Sequence, residues 1–487
     1  MKKILIAVVA VAVVIGAYFL VMKDTSSKGD LKLTQLSVSD VETILEKKKS
    51  EYAAGGFNLT KVGDHYTLVA ADEQKARQFL IQEMKSILPA SYDPVMQGFN
   101  ESLTNVKEEI LKGMVFDMDI VEDSEGAKVE VTLKMLPESL SLALQNNKEA
   151  DTLITNFLAK GGFAYKIAMN AKGEVEGVEL KDINEDLTVD NDKVKLKLLG
   201  VWVKMIGDMN GKMESASGLS EVSVNVQSTN DKSMTISLND LTSTAQQTGP
   251  YDQTSKGTIA KMSFDFKEFG NLVSIALNNT DLDFVASNKD GFLDGGYKLN
   301  TKTITGKGND ASGANSTSLN MNNFVLDVMV NHIQIKALEA MQTMQNQGFQ
   351  AGLLGTPISQ NAGVDQAQAI VGMLQSGLSF HINALNSDLL EIQMPNGMPP
   401  IALHDFKFNV HVDLKENTLD MSNPMMYMPF VEIKGSIAMA EADLESIGQM
   451  APMAGMFLAM KRVEGGQAIF DIEFAQGHIK VNGNQIQ

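Results

Sequence analysis

The chain contains no cysteine. That excludes disulfides, thiolate metal ligands and a cysteine nucleophile together, and it removes the acylated cysteine of a lipoprotein signal. Arginine is almost missing: Arg77 and Arg462 are the only two among 41 basic residues. The planar fork that clamps carboxylates and phosphates in bidentate fashion is therefore scarce. A basic surface is lacking too, since 60 Asp and Glu leave a net charge of −19 and no lysine-rich stripe extends beyond Lys47–Lys49. Polyanion binding depends on neutralising phosphates, so nucleic acid is not an expected partner. No phosphate-cradling glycine loop, nucleophile elbow or paired-histidine zinc helix occurs, and neither an enzymatic activity nor a cofactor is expected.

What is present begins with Lys2 and Lys3, followed by an uncharged run from Ile4 to Met22. Nineteen residues at roughly 1.5 Å each span about 28 Å, close to a bilayer's hydrocarbon thickness. The run exceeds the usual apolar core of a cleaved signal and has no good small-residue cleavage site, so it reads as a retained anchor. The basic flank places residues 1–3 in the cytoplasm. Residues 23–30 form a polar tether, and the expected location is a bacterial inner membrane, crossed once, with the body in the periplasm.

Period-two alternation dominates the rest. Val129-Val131-Leu133, Val222-Val224-Val226, Met262-Phe264-Phe266, Val273-Ile275-Leu277, Phe406-Phe408-Val410-Val412 and Phe470-Ile472-Phe474 each present one apolar and one polar face. Such strands suit antiparallel sheet with one side wet. Asn288-Lys289-Asp290-Gly291 and Gln476-Gly477 are turn signals between them. Helices are expected from Ser39 through Lys49, over 72–88, 93–111 and 148–160, as a hairpin within 326–376, and over 441–462. The fold class read from this is α+β: a long curved antiparallel meander with helices packed on one face, plus the N-terminal transmembrane helix. The expected division is a mainly helical region at 31–120, a β region at 121–325, and a last region at 326–487 that combines the helical hairpin, strands, a methionine-rich helix and a closing hairpin.

Two passages resemble the YdgA-like family of bacterial envelope proteins. One runs from Val273 to Leu299 (VSIALNNTDLDFVASNKDGFLDGGYKL), and the other is the ending from Phe470 to Gly483 (FDIEFAQGHIKVNG). Leu238-Asn239-Asp240-Leu241 and Met321-Asn322-Asn323-Phe324 are similar to that family's strand-end punctuation. The resemblance implies an anchored periplasmic protein and carries no catalytic residues with it.

The nearest approach to a reactive constellation is His404-Asp405 with Asn409, His411 and Asp413, placed at every second residue from 405 on one strand face. An ordinary polar surface explains it better than a metal site. Asp290 and Asp294 lack the acidic alternation of a calcium loop and read as hairpin turns. The unusual feature is methionine, with 29 residues. Met341, Met344, Met373, Met450, Met453, Met456 and Met460 cluster in the expected late helices. Such flexible, polarisable side chains either fill a core or line a groove that accepts apolar chains. The leading function class is therefore a non-enzymatic structural or assembly factor that binds other envelope proteins or a second copy of itself. The alternative is lipid or apolar-chain binding between the sheet and the methionine-rich helices, and a hydrolase of unrecognised type comes third.

Overall fold

The structure, a computed structural model, describes residues 31–79, 111–138, 141, 148–189, 192–207, 212–228, 231–249, 251–311, 315–338, 370–393, 395, 400–418, 428–450 and 458–486. The chain divides into two compact units. The first comprises residues 1–224, 240–250 and 352–355, and the second 225–239, 251–351 and 356–487.

In the first unit, helix α1 (Val38–Ala54) starts at Ser37, whose hydroxyl accepts from the Asp40 amide while the Asp40 carboxylate accepts from the Ser37 amide. This reciprocal box satisfies donors that a helix start leaves orphaned. Val41, Ile44 and Leu45 recur at helical spacing and are buried. They meet an antiparallel sheet whose early strands are β1 (Phe57–Val62), β2 (His65–Ala70), β3 (Val115–Asp123) and β4 (Gly126–Met135). After α2 (Lys148–Ala159) come β5 (Ala164–Met169), β6 (Val175–Leu180), β7 (Ile183–Val189), β8 (Asp192–Leu199) and β9 (Trp202–Gly207). Strands β1 to β6 pair in sequence, and β9 then pairs with β6. Leu59, Tyr66, Met118, Val129 and Val131 supply the sheet side of the core under α1.

The boundary between the units falls within β10 (Met213–Ser228) and β11 (Lys232–Gly249). The second unit is built from longer strands: β12 (Asp252–Glu268), β13 (Asn271–Lys289), β14 (Phe292–Asn309), β15 (Ser316–Gln334), β16 (Leu378–Gln393), β17 (Ile401–Leu414) and β18 (Val431–Ala440). Each pairs antiparallel with the next. Helix α3 (Glu441–Met450) follows, then β19 (Arg462–Glu464), β20 (Gln467–Ala475), β21 (His478–Val481) and β22 (Asn484–Gln485). Strand β20 pairs with β18, β19 and β21. Tight two-residue turns join several pairs: Asp290-Gly291, Gln476-Gly477 and Asn482-Gly483 all have positive φ at both positions. That conformation matches the twist of the flanking strands and favours Asn, Asp and Gly.

The long strands contain a repeated kink. Asn279, Asn323 and Asp405 have φ of 51°, 50° and 51° in the middle of β13, β15 and β17. By register, Ala260, Asn279, Lys302, Asn323, Asp388 and Asp405 lie opposite one another across six neighbouring strands. The Asn323 amide donates to the Asp388 carboxylate at 2.6 Å within this row. The apolar alternation changes phase there. In β13 it runs on Val273, Ile275 and Leu277, then on Leu282, Phe284 and Ala286. A plain strand would send the second set to the opposite face. A left-handed residue absorbs the phase change as a bulge does. Packing agrees in β17, where Leu403 and Phe406, on either side of Asp405, join one cluster with Phe470 and Leu444.

The α+β expectation is corrected by this architecture. Among the described residues the protein is β-rich, 67% strand and 15% helix, dominated by large antiparallel sheet. Residues 326–334, expected as helix, continue β15, because Val325, Val328 and Val330 put β-branched residues into a nearly continuous apolar run that suits extended strand. In the region expected to be mainly helical, β1 and β2 occupy Phe57–Val62 and His65–Ala70 and β3 begins at Val115, beside α1 and a helical stretch at 73–79. Within 441–462, the helix spans Glu441–Met450 and β19 begins at Arg462. Among the described residues no helix is long and apolar enough to cross a membrane. The expected anchor at 4–22 and the helix at 93–111 fall outside the described residues, except for Leu111.

Candidate functional site

The long strands of the second unit carry one apolar face. Beyond the kink row, register aligns Leu282, Leu299, Leu326, Leu385, Phe408, Ile437 and Phe470 across seven strands. On its other side, Phe264, Ile275, Gly306, Leu319, Ile392 and Ile401 are aligned. At 19 residues, β13 extends about 60 Å, and the eight strands from β12 to β20 that form this face span about 38 Å.

Coverage of this face is uneven. Near β17, β18 and β20, the α3 residue Leu444 packs with Leu458 and Met460 onto Phe406, Ile437 and Phe470. Toward β12 and β13 the side chains stay open: Phe264 is 36%, Met262 40%, Val273 43% and Ile275 44% exposed. Glycines interrupt the same face. Gly306 lies between Ile275 and Leu319, Gly308 between Val273 and Thr317, and Gly295 between Ala286 and Val330. A Cβ on Gly295 would meet only a backbone oxygen at 3.7 Å, and one on Gly306 would touch Leu319 at 3.3 Å. A glycine inside a strand forgoes packing and leaves room for close approach of another group. The polar side chains near the kink row bond to protein groups. Thr280 and Thr301, both buried, share a hydroxyl contact of 3.1 Å, and the Ser387 hydroxyl bonds to the carbonyls of Asn322 and Leu389.

Of the methionines expected to line a groove, three fall among the described residues. Met460 is half-buried beside Phe470 and Ala468, where it acts as core. Met373 lies on a short helical stretch at 370–375 and is half-buried. Met450 ends α3, and Met341, Met344, Met453 and Met456 lie outside the described residues. The signal for the apolar face was instead the strand alternation itself.

The histidine constellation is dispersed by the kink. His404 turns toward α3, its ring within 3.1 Å of the Asp443 carboxylate. Asp405 occupies the left-handed position. His411 stacks on His381 of β16, with ring centres 4.3 Å apart and planes 16° from parallel. His381 Nε2 lies 3.0 Å from the Asp413 carboxylate. Burial alone would raise the Asp413 pKa, but hydrogen bonds with Ser379 and His381 outweigh it and hold the carboxyl below its ordinary value. Among the described residues no group of three or more His, Asp or Glu is placed to hold a metal ion. His381 was not visible as a partner because it belongs to another strand, 30 residues earlier, and only register brings it alongside. Comparison with protein-family models, curated proteins and solved structures finds no match to this chain.

Proposed function

We propose that this chain is a non-enzymatic protein of the bacterial envelope, anchored in the inner membrane by residues 4–22, which holds acyl chains of lipids on the apolar face of its long-stranded sheet. The observation that carries the reading is the open end of that face, where Phe264, Ile275, Met262 and Val273 remain exposed beside Gly306 and Gly308. Large apolar surface left in water is unfavourable by about 25 cal/mol per Å², and a contiguous patch of it in a native protein marks a place where something docks. Acyl chains match the chemistry, because they need apolar contact and no hydrogen-bonding partner. Each methylene buried contributes about 0.8 kcal/mol. The periplasmic placement rests on Lys2, Lys3 and the uncharged run after them. The resemblance of Val273–Leu299 and Phe470–Gly483 to the YdgA-like envelope family agrees with it.

The test is photolabelling of the full chain with a diazirine-bearing fatty acid, followed by peptide mapping. Label on peptides containing Phe264, Ile275 or Leu319 is the expected result. It should fall several-fold in the double variant Phe264→Glu/Ile275→Lys, which replaces a cross-strand apolar pair with an ion pair and leaves the anchor untouched. Label confined to residues 4–22 would overturn the acyl-chain reading. Intermolecular crosslinks across the same face would favour the assembly reading, in which a second copy or another envelope protein covers it.

A further inference from the structure

The opposite, polar face of the same unit has a feature that the apolar face does not explain. Register lines up His381, His411, Lys434, Glu473 and Lys480 in one row across β16, β17, β18, β20 and β21. A neighbouring row, two residues away, holds Asn409, Ser436 and Asp471. Between these rows and the Asn482-Gly483 turn lies an open hollow of about 400 Å³.

Four of its side chains form a block on β17 and β18: Asn409 opposite Ser436, and His411 opposite Lys434. Directly opposed residues place their Cβ atoms about 5 Å apart, and the two rows are about 7 Å apart. All four can donate: an ammonium, a ring N–H, an amide and a hydroxyl. Among the described residues, none of the four makes a side-chain hydrogen bond or ion pair with another protein group. The stack with His381 fixes the His411 ring without using either ring nitrogen. Four acids border the block, and each has a partner of its own: on one side Asp413 lies 3.0 Å from His381 and Glu432 pairs with Lys415. On the other, Asp471 pairs with Arg462 at 3.0 Å, and Glu473 lies 3.9 Å from Lys480. Lys434 is therefore the uncommitted charge of the hollow, in a chain whose net charge is −19.

We propose that this hollow is a binding site for a phosphate-type oxyanion, held by Lys434 and His411 on one side and by Asn409 and Ser436 on the other. The chemistry is that of an anion accepting several hydrogen bonds, one of them charge-assisted. Such a group arrives either on a phosphate monoester or as the phosphodiester of a lipid headgroup. The site does not depend on the acyl-chain reading, because it uses the other face of the sheet.

The test is calorimetric titration of the full chain with inorganic phosphate, and then with dihexanoyl phosphatidylglycerol as a competitor. Wild type should bind phosphate saturably at one site. Lys434→Gln should weaken binding roughly tenfold, equivalent to about 1.4 kcal/mol. Ser436→Ala should weaken it less, and Lys415→Gln, which removes a lysine already paired with Glu432, should leave it unchanged. Competition by the short-chain lipid identifies a headgroup, and its failure to compete identifies a monoester. Absence of saturable phosphate binding by wild type, or equal binding by the Lys434→Gln and Ser436→Ala variants, overturns the proposal.

Discussion

Lys128 is 3% exposed, yet it is charged. Its ammonium lies 3.0 Å from Asp123, 3.0 Å from Glu125 and 2.5 Å from Glu179, while Glu125 also pairs with Lys204. Burial works against the charge, but the three carboxylates prevail and raise the lysine pKa well above its ordinary value. Lys128→Ala takes from these half-exposed carboxylates their shared partner, though Glu125 keeps Lys204, and should destabilise the first unit by about 1–3 kcal/mol. Urea unfolding followed through Trp202, the chain's only tryptophan, measures this directly. His65 offers a pH test in the same unit. A hydrogen bond to Asp119 raises its pKa above 6.5, burial opposes that, and a contact with Asp117 adds to it. A raised folded pKa stabilises fully below the unfolded value and loses that contribution as pH climbs through the folded one. The unfolding midpoint should therefore fall as pH rises from 6.5, and His65→Gln should flatten that slope.

At the scale of elements, the strands were legible and their lengths were not. Met262-Phe264-Phe266 and Val273-Ile275-Leu277 announce alternation clearly, but each covers only one half of a strand of 17 or 19 residues. The phase change at Asn279 makes one long strand read as two short ones. Nothing local distinguishes Asn278-Asn279 inside a strand from the same pair in a turn, since both conformations favour asparagine. Helices with strong local signals were easier: the acidic start and apolar spacing of α1 were visible, although the cap is Ser37, two residues before Ser39. Of the methionines expected to line a groove, only Met373, Met450 and Met460 fall among the described residues, and clustering in sequence carries no information about which sheet face such side chains meet. The kink itself is testable. Asn279→Gly should be nearly neutral, whereas Asn279→Val should cost about 1–2 kcal/mol, the penalty for a β-branched residue held left-handed. Thermal unfolding of the two variants gives the comparison.

Across the whole molecule, an acidic chain exposes apolar strands, and net charge opposes contact between copies. With a sequence pI near 4.8, self-repulsion vanishes as pH falls toward 5. Light scattering should then rise, and Phe264→Glu/Ile275→Lys should delay the rise if the open face mediates the contact. Asn409 and His411 were legible on one face of β17, but the hollow was not, because Ser436 and Lys434 lie on β18, beyond a segment of unrelated composition, and meet them only through register. The kink row has one more consequence. Regular antiparallel strands can slide past each other by two residues with no change of pattern, each hydrophobic side chain simply taking its neighbour's place. Left-handed residues at a single level on β13, β15 and β17 forbid that slide, since a shifted strand would bring its bend against straight backbone. They work as index marks on a ruler, and a sheet this broad can be assembled strand by strand without losing count.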